Sequence, residues 1–344
     1  MAGKDRAAAH RVRLYLALRE RPFAFHVFQV LRQIECAHPD QPRLGRSARP
    51  RDDAVRLGQE PSMAFAGSAL ARFEPGAKQR KPRLLGHYLG LMGPNGPLPL
   101  HLTEYVHDRA RNARDGTLSR FLDVFHHRML SLFYRAWADT KPTVSFDRAW
   151  DDRFGVYLAS LFGLGRDALR DRDAMPDLAK LHFSGHLACQ ARHPEGLTSI
   201  IKEYFGIPVT IHEFLGEWID IPAACLCRLG GSPETGSLGE TAVAGARAWS
   251  AQHKIGIALG PLSYADFKRF LPGSESLRRL VAVVRNYIGD ELAWDLSLVL
   301  RGEEVPGTEL ANAGRLGWTT WLGDWKSEKD SSDLTLSPSM GAAG

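Results

Sequence analysis

The sequence lacks the features of a membrane-spanning or exported protein. None of its apolar runs reaches the ~18 residues that a transmembrane helix needs. The amino terminus is charged and has no apolar stretch followed by a cleavage site, so we expect no signal peptide. The four cysteines are too few and too scattered for a disulfide scaffold: Cys36, Cys189, Cys225 and Cys227. The sequence therefore predicts a cytoplasmic protein without direct membrane insertion.

Motifs of the common enzyme classes are absent as well. The chain contains no P-loop, no G-x-G-x-x-G and no G-x-S-x-G sequence. Ser199 and Lys202 form a minimal S-x-x-K pair, but the companion Ser-Asp-Asn and Lys-Thr-Gly elements of that enzyme class are missing. We therefore predict that the protein is not an enzyme, and we predict no catalytic or cofactor-binding residue.

One cluster of possible metal ligands gives an alternative interpretation. The ligands recur at intervals of four, three and four residues: His182, His186, Cys189 and His193. Imidazole and thiolate groups are typical zinc ligands, so the alternative is a metal-dependent hydrolase. A single straight helix cannot wrap four ligands around one ion, however, which favours packed or surface histidines and no metal site.

The composition is that of an ordinary globular protein, but the charge is unevenly distributed. The 344 residues are 44% hydrophobic and 24% charged, which suffices for a sizeable core in one domain or two. Residues 1–60 hold 12 Lys/Arg against 7 Asp/Glu, which accounts for the whole net charge of +5. Such a basic segment suits nucleic acid, anionic lipid or an acidic protein surface. No recognised nucleic-acid-binding motif supports the first, so we expect no nucleic-acid partner.

The stretch from Leu84 to Trp137 is the clearest structural signal. A short apolar run is closed by Gly93-Pro94-Asn95-Gly96-Pro97, a dense turn signal, and helices are predicted near 104–114 and 118–137. The apolar residues of the longer helix share one broad face, which predicts its core side: Leu118, Phe121, Leu122, Phe125, Met129, Leu132, Phe133 and Trp137. We expect His126-His127-Arg128 to anchor this helix to a neighbouring surface.

Alternation and turn residues predict an α+β fold of mixed helices and short antiparallel strands. Strands are expected in residues 207–214, 243–259, 290–300 and 316–322. The predicted organisation is a basic amino-terminal arm (1–20), an amino-terminal lobe with the central helix (21–142), a mixed α/β carboxy-terminal lobe (143–325) and a disordered tail (326–344). We expect the two lobes to meet near residues 143–176.

Ordered sequence pieces along residues 21–323 resemble the TssG family, also called ImpH or VasB. In the first half they are Gly90–Pro99 and Phe121–Trp137. In the second half they are Glu195–Val209, Gly216-Glu217-Trp218, Leu259–Leu262, Phe270–Gly273 and Leu316–Leu322. Each piece alone is a weak signal, but together, in order and at ordinary spacing, they are specific. TssG proteins are baseplate subunits of the bacterial type VI secretion system.

The resemblance implies a structural role. TssG-like proteins resemble the wedge components of contractile phage baseplates, bind TssF and hold TssK adaptor trimers through extended loops. The resemblance further implies contacts with a TssE-like subunit and the VgrG-like spike hub, and a location at the cytoplasmic face of the inner membrane. It implies no catalytic residues.

Two segments are candidates for protruding partner-binding loops. Pro39–Pro61 is rich in Pro and Arg, and Gly230–Gly245 is rich in Gly, Ser and Thr beside a strand carrying Trp249. Neither segment carries many large apolar residues, so we expect neither to be needed for folding. The predicted partner-binding residues are Arg43, Arg46, Arg49, Arg51, Arg56 and Trp249.

Overall fold

The computed structural model describes residues 2–77, 80–228, 231–307, 314–321, 323, 325 and 329–338. The chain divides into two compact units, Met1–Gly155 and Val156–Gly344. We predicted the lobe boundary at residue 142, and the division lies later because Asp147 and Asp151 form ion pairs with Arg32 and Arg43 of the first unit.

Within the described residues, no helix has both the length and the hydrophobicity to cross a membrane.

The first unit combines helices with one small sheet. Its helices are α1 (Ala2–Glu20), α2 (Val27–Ala37), α3 (Leu100–Arg111), α4 (Thr117–Asp139) and α5 (Pro142–Phe146), and α6 (Arg153–Leu161) begins at its end. Its strands are β1 (Arg56–Gln59), β2 (Leu70–Glu74) and β3 (Arg83–Gly86), in the order β1-β3-β2. β1 pairs with β3 in parallel, and β2 pairs with β3 antiparallel.

The predicted amino-terminal arm is part of this unit's core. Leu14 and Leu18 lie one turn apart on α1 and are buried in the same apolar cluster as Leu31 and Tyr134. Residues spaced by four share one face of a helix, so α1 packs that face inward, while Arg13 and Arg19 are exposed. The carboxy-terminal part of residues 1–20, which we predicted to be an arm, is therefore packed in the core of the unit.

The predicted core side of α4 is wrong. The apolar residues expected to be buried are largely exposed, with Phe121, Phe125 and Met129 at 57%, 51% and 61%. The opposite face is buried and consists mostly of polar or small residues: His126, His127, Leu130, Ser131, Tyr134, Arg135 and Ala138. These polar groups can be inside because each finds a hydrogen-bond partner there, as described below.

The second unit is built on a four-stranded sheet. Its helices are α7 (Asp177–His182), α8 (Ser184–Ala188), α9 (Pro194–Phe205), α10 (Pro233–Gly236), α11 (Tyr264–Arg269) and α12 (Glu275–Ile288). Its strands are β4 (Val209–His212), β5 (Glu217–Asp220), β6 (Arg247–Ser250), β7 (Lys254–Leu262), β8 (Ala293–Leu300) and β9 (Ser331–Leu336). The main sheet has the order β4-β7-β8-β9, and β5 and β6 form a separate pair.

Local sequence signals set many element boundaries in this unit. The hydroxyl of Ser274 accepts a hydrogen bond from the Leu277 amide and caps α12, and Gly206 ends α9 with a left-handed φ of 71°. On β8 the predicted alternation is observed, because Leu296, Leu298 and Leu300 are fully buried between less buried neighbours. The core of this unit lies between the main sheet and helices α9, α11 and α12.

The predicted disordered tail contains a strand. β9 pairs antiparallel with β8, and its Leu334 and Leu336 pack against the second unit's core. A partly apolar strand can be ordered here because β8 offers it a free edge. Of the strand predicted at 316–322, residues 316–318 form a turn and Trp321 bridges to Gly307, while residue 322 lies outside the described residues.

Candidate partner-binding surfaces

The segment Pro39–Pro61 does not protrude from the first unit. Leu44, Val55 and Leu57 are buried in the apolar core, and the segment contains strand β1. The expected protrusion of this segment is therefore wrong, and the burial of these residues argues against the expectation that the segment is not needed for folding. Its few apolar residues share the core with residues of α2 and α4.

Arg43 is a buried side chain that holds this segment to the end of the unit. Its Nε donates to Asp151 Oδ2 at 2.8 Å, and its terminal nitrogens donate to the carbonyl oxygens of Val144 and Ser145 at 3.0 Å each. Arg46 pairs with the same Asp151 at 3.0 Å. The fork of the Arg43 guanidinium thus binds groups of its own chain, and Arg43 has no surface left to offer a partner.

A second buried network joins the segment to α2 and α4. The Glu35 carboxylate accepts hydrogen bonds from the Leu44 amide at 2.7 Å, the Tyr134 hydroxyl at 2.9 Å and the Arg135 guanidinium at 2.9 Å. Glu35 is only 3% exposed, and the three donors, one of them the Arg135 guanidinium, replace water around its carboxylate. This network compensates for the polar character of the buried face of α4.

The remaining predicted arginines differ in position. Arg49 and Arg51 are exposed beside Pro50, whereas Arg56 lies in β1 and is partly buried. Arg51 has a loose ion pair with Asp52 at 3.9 Å. Of these three arginines, Arg49 and Arg51 therefore have the exposed side chains that a partner-binding loop needs.

The two adjacent histidines of α4 act as hydrogen-bond acceptors for backbone amides. The Leu57 amide donates to His127 Nδ1 at 3.1 Å, and the Leu91 amide donates to His126 Nε2 at 3.0 Å. Each ring then donates from its other nitrogen to a carboxylate, His127 to Asp53 and His126 to Asp123. These contacts match the predicted anchoring role, since they fix β1 and the turn after β3 to α4.

Trp249 lies on an exposed two-stranded ribbon. It is opposite Trp218 in the β5–β6 pair, and the two rings meet edge to face with centroids 5.4 Å apart. The side chains of Trp218 and Trp249 are 62% and 60% exposed. The ring of Trp249 also covers Gly216, where an added Cβ would clash with the ring at 1.9 Å. The segment joining the strands is also a surface segment, because none of residues 231–245 is buried.

The predicted metal-ligand cluster is dispersed. Residues 182 and 186 lie on two short helices, α7 and α8, that are separated at Phe183. His182 pairs with Glu203 at 2.8 Å, and His193 accepts the Gly196 amide at 2.9 Å as the cap of α9. Within the described part of the chain, no three His, Cys, Asp or Glu side chains are grouped to hold a metal ion. The hydrolase alternative is therefore unsupported.

Sequence reasoning missed an extended exposed apolar surface of the first unit. It is the outward face of α4, which we call the α4 stripe: Leu118, Phe121, Val124, Phe125, Met129, Leu132 and Phe133. The sequence did show the apolar residues at i, i+3, i+4 spacing on one face of this helix, but we interpreted that face as a core face. An apolar patch of this extent on a folded unit is typical of a protein interface.

Chains of two solved baseplate structures have a fold similar to that of this protein. A chain of a type VI secretion system baseplate complex aligns over 96% of this chain and 94% of its own, with a TM-score of 0.67 and 23% identity. A chain of a TssK-TssF-TssG baseplate subcomplex, solved by cryo-electron microscopy, aligns over 63% of this chain and 90% of its own, with a TM-score of 0.52 and 22% identity. No curated protein matches the sequence. The protein thus has the α+β fold of a baseplate subunit.

The family follows from the sequence model. The model described as "Type VI secretion, TssG" matches residues 21–323, which is most of the chain. The protein belongs to the TssG family, as the ordered sequence pieces predicted.

Proposed function

We propose that this protein is a structural wedge subunit of a type VI secretion baseplate that binds a TssF-type and a TssK-type subunit. The observation that carries the proposal is the family match over residues 21–323. The fold similarity over 96% of the chain to a baseplate complex supports it independently of that match. The family resemblance further favours contacts with a TssE-like subunit and a VgrG-like hub, and assembly at the cytoplasmic face of the inner membrane.

In this proposal the protein contributes surfaces and no catalysis. Three buried ionisable residues of the first unit are occupied in holding elements together. Glu35 binds three donors from α4 and the Pro39–Pro61 segment, and His126 and His127 each accept a backbone amide. Groups saturated in this way stabilise a rigid scaffold, which is what a wedge subunit needs.

The TssK-type contacts are assigned in this proposal to two exposed places. One is the Trp218–Trp249 ribbon with the segment 231–245 that joins its strands, and the other is the pair Arg49 and Arg51. Exposed tryptophans on a short ribbon can insert into a partner pocket, and exposed arginines can bind carboxylates in a bidentate manner. This proposal leaves out Arg43 and Arg46, because both guanidinium groups pair with Asp151 of the same unit.

Co-expression with the TssF-type and TssK-type subunits of the same system tests the whole proposal. We expect the three proteins to co-elute in size-exclusion chromatography after affinity capture of this chain. Failure of the wild-type chain to retain either subunit under low-salt conditions would refute the proposed function.

Variants then test the two assigned places. Replacing residues 231–245 by a short Gly/Ser linker should leave TssF-type binding intact and weaken TssK-type recruitment, because the segment has no buried residue. The variant Arg49→Glu/Arg51→Glu tests the second place, with Arg13→Glu/Arg19→Glu on the exposed side of α1 as the charge-matched control. Normal TssK-type recruitment by both test variants would place those contacts elsewhere.

A further inference from the structure

The α4 stripe is a linear apolar ridge along one exposed face of a single helix. From Leu118 to Phe133 it covers 16 residues, or about 22 Å of helix at the usual rise per residue. Val124 is 62% exposed, and with Phe121, Phe125 and Met129 it forms rows at i, i+3, i+4 and i+8. Rows with this spacing fit the grooves of another helix, which packs along such a ridge over several turns.

A basic cleft lies directly beside the stripe. The cleft has a volume of about 730 Å³ and lies between α4 and the small sheet, with Val124 of the stripe as part of its wall. Its cationic lining consists of Arg51, Arg56, Arg80, Lys81, Arg83 and Arg120. Only two carboxylates, Glu74 and Asp123, line it as well.

Most of these cations have no carboxylate partner within the unit. Arg83 pairs with both Glu74 at 2.9 Å and Asp123 at 2.7 Å, and Glu74 also pairs with Arg72 at 3.2 Å, so both acids of the cleft already have partners. Among the described residues, none of Arg56, Arg80, Lys81 and Arg120 forms an ion pair. The cleft therefore keeps an excess of positive charge that carboxylates of a partner can neutralise.

We propose that the α4 stripe and the basic cleft together bind an amphipathic helix of another protein, apolar along one face and acidic along the adjoining edge. The apolar face would lie on Phe121, Phe125 and Met129, and the acidic edge would point into the cleft beside Val124. The proposal rests on the proposed function in one respect, because the helix is assigned to another baseplate subunit.

Charge disfavours a second copy of this chain as the occupant. The two carboxylates of α4 are already paired, Asp123 with Arg83 and Asp139 with Arg135. The exposed charged residues beside the stripe are Arg120 and Arg128. Two α4 stripes face to face would bring cations together without compensating acids, which costs free energy.

The apolar contacts are tested with a matched pair of double variants in the co-expressed complex. Phe125 and Met129 are one turn apart and 51% and 61% exposed, and Val12 and Leu16 of α1 are one turn apart and 56% and 55% exposed. We expect Phe125→Gln/Met129→Gln to weaken binding of the helix-donating subunit by at least about tenfold, as loss of central apolar contacts does. The control Val12→Gln/Leu16→Gln should bind as the wild type does. Equal affinities of the two variants would overturn the proposal.

The charge contribution is tested by reversal of two exposed cations of the cleft. Arg80→Glu/Arg120→Glu should slow association and reduce its salt dependence, whereas Arg13→Glu/Arg19→Glu makes the same change in net charge away from the cleft. Identical salt dependence for both would overturn the part of the proposal that concerns the acidic edge.

Photo-crosslinking identifies the occupant. A benzoylphenylalanine in place of Phe125 should crosslink, within the intact complex, to a partner segment that is helical and carries Asp or Glu beside an apolar face. Crosslinks to a second copy, to a basic or non-helical segment, or to co-purifying nucleic acid would overturn the proposal. If the complex is intact but no crosslink forms at this position, this inference is overturned and the proposed function stands. If the wild-type chain forms no complex at all, both the proposed function and this inference are refuted.

Discussion

Arg43 joins three parts of the first unit through one side chain. Its guanidinium binds Asp151, Val144 and Ser145, which follow α4 and are more than a hundred residues away in sequence. The side chain is 4% exposed, so these groups take the place of water around its charge. The segment after α2 and the end of the unit are thus held in one arrangement.

We expect Arg43→Ala to lower the free energy of unfolding by about 2–4 kcal/mol, because it leaves the carbonyl groups of Val144 and Ser145 without their donor. The exposed Arg49→Ala should change it by less than about 0.5 kcal/mol. Urea unfolding followed by circular dichroism measures both values. Small and equal effects would show that Arg43 is not buried.

His38 makes the stability of the first unit depend on pH. Burial lowers the pKa of His38 from its ordinary value of 6.5, although its Nδ1–H donates to the Ile34 carbonyl, which acts in the opposite direction. As the pH falls through and below 6.5, the unfolded chain therefore binds a proton that the folded chain resists binding. The folded state loses stability in that range.

We expect the free energy of unfolding to fall between about pH 7 and pH 5.5, and to fall less in a His38→Gln variant. The exposed His101→Gln variant is the control and should follow the wild type. An identical pH dependence in the wild type and His38→Gln would exclude His38 as the source.

Helix α4 shows that an element can be predicted correctly and still be oriented wrongly. Its observed span, Thr117–Asp139, contains the predicted 118–137. Its two faces differ in the way expected from the sequence, but the polar one is inside. The inside face is stabilised by the Glu35 network and by the two histidine–amide hydrogen bonds.

For α4, we expect Leu130→Ala to cost about 2–5 kcal/mol of unfolding free energy, because Leu130 is 2% exposed and its loss leaves a cavity. Phe125→Ala should cost less than about 1 kcal/mol, since Phe125 is half exposed. Chemical denaturation of both variants distinguishes the faces. A larger cost for Phe125→Ala would mean that the stripe is buried after all.

Strand β9 gives the corresponding test in the second unit. Leu334 packs against the core and Thr335, its neighbour on the other side of the strand, is exposed. We expect Leu334→Asp to cost about 1–3 kcal/mol by placing a charge against apolar side chains, and Thr335→Asp to be nearly neutral. Thermal unfolding of the two variants would show equal midpoints if this strand were not part of the folded unit.

At the scale of the whole molecule, each unit has its own apolar core, and exposed apolar residues remain on both. The first unit carries the α4 stripe, and the second carries Trp218 and Trp249 on the β5–β6 ribbon. Surfaces of this kind favour association with other molecules over a dissolved monomer.

We therefore expect the chain expressed alone to self-associate or precipitate, and to be soluble when co-expressed with its TssF-type partner. Phe125→Gln/Met129→Gln should increase the soluble fraction of the isolated chain, because it shortens the apolar stripe. Light scattering after size-exclusion chromatography measures both effects. A monodisperse wild-type monomer would contradict this expectation.

The sequence by itself determined the local structure and the family. Helical spacing placed α4, and strict alternation placed the buried residues of β8, because both signals depend only on neighbouring residues. In the structure, Gly206 and Ser274 set helix ends through their own backbone and side-chain preferences. The ordered pieces over residues 21–323 sufficed for the TssG family.

Only the tertiary structure decided which faces and segments lie inside. The inward turn of the polar face of α4 depends on Glu35 and on the amides of Leu57 and Leu91, and Arg43 is buried because Asp151 and two carbonyl groups meet it. These partners are distant in sequence, so no local pattern reports them. A polar group enters a core when its hydrogen bonds are satisfied there, and an apolar face can remain outside when another surface is available to cover it.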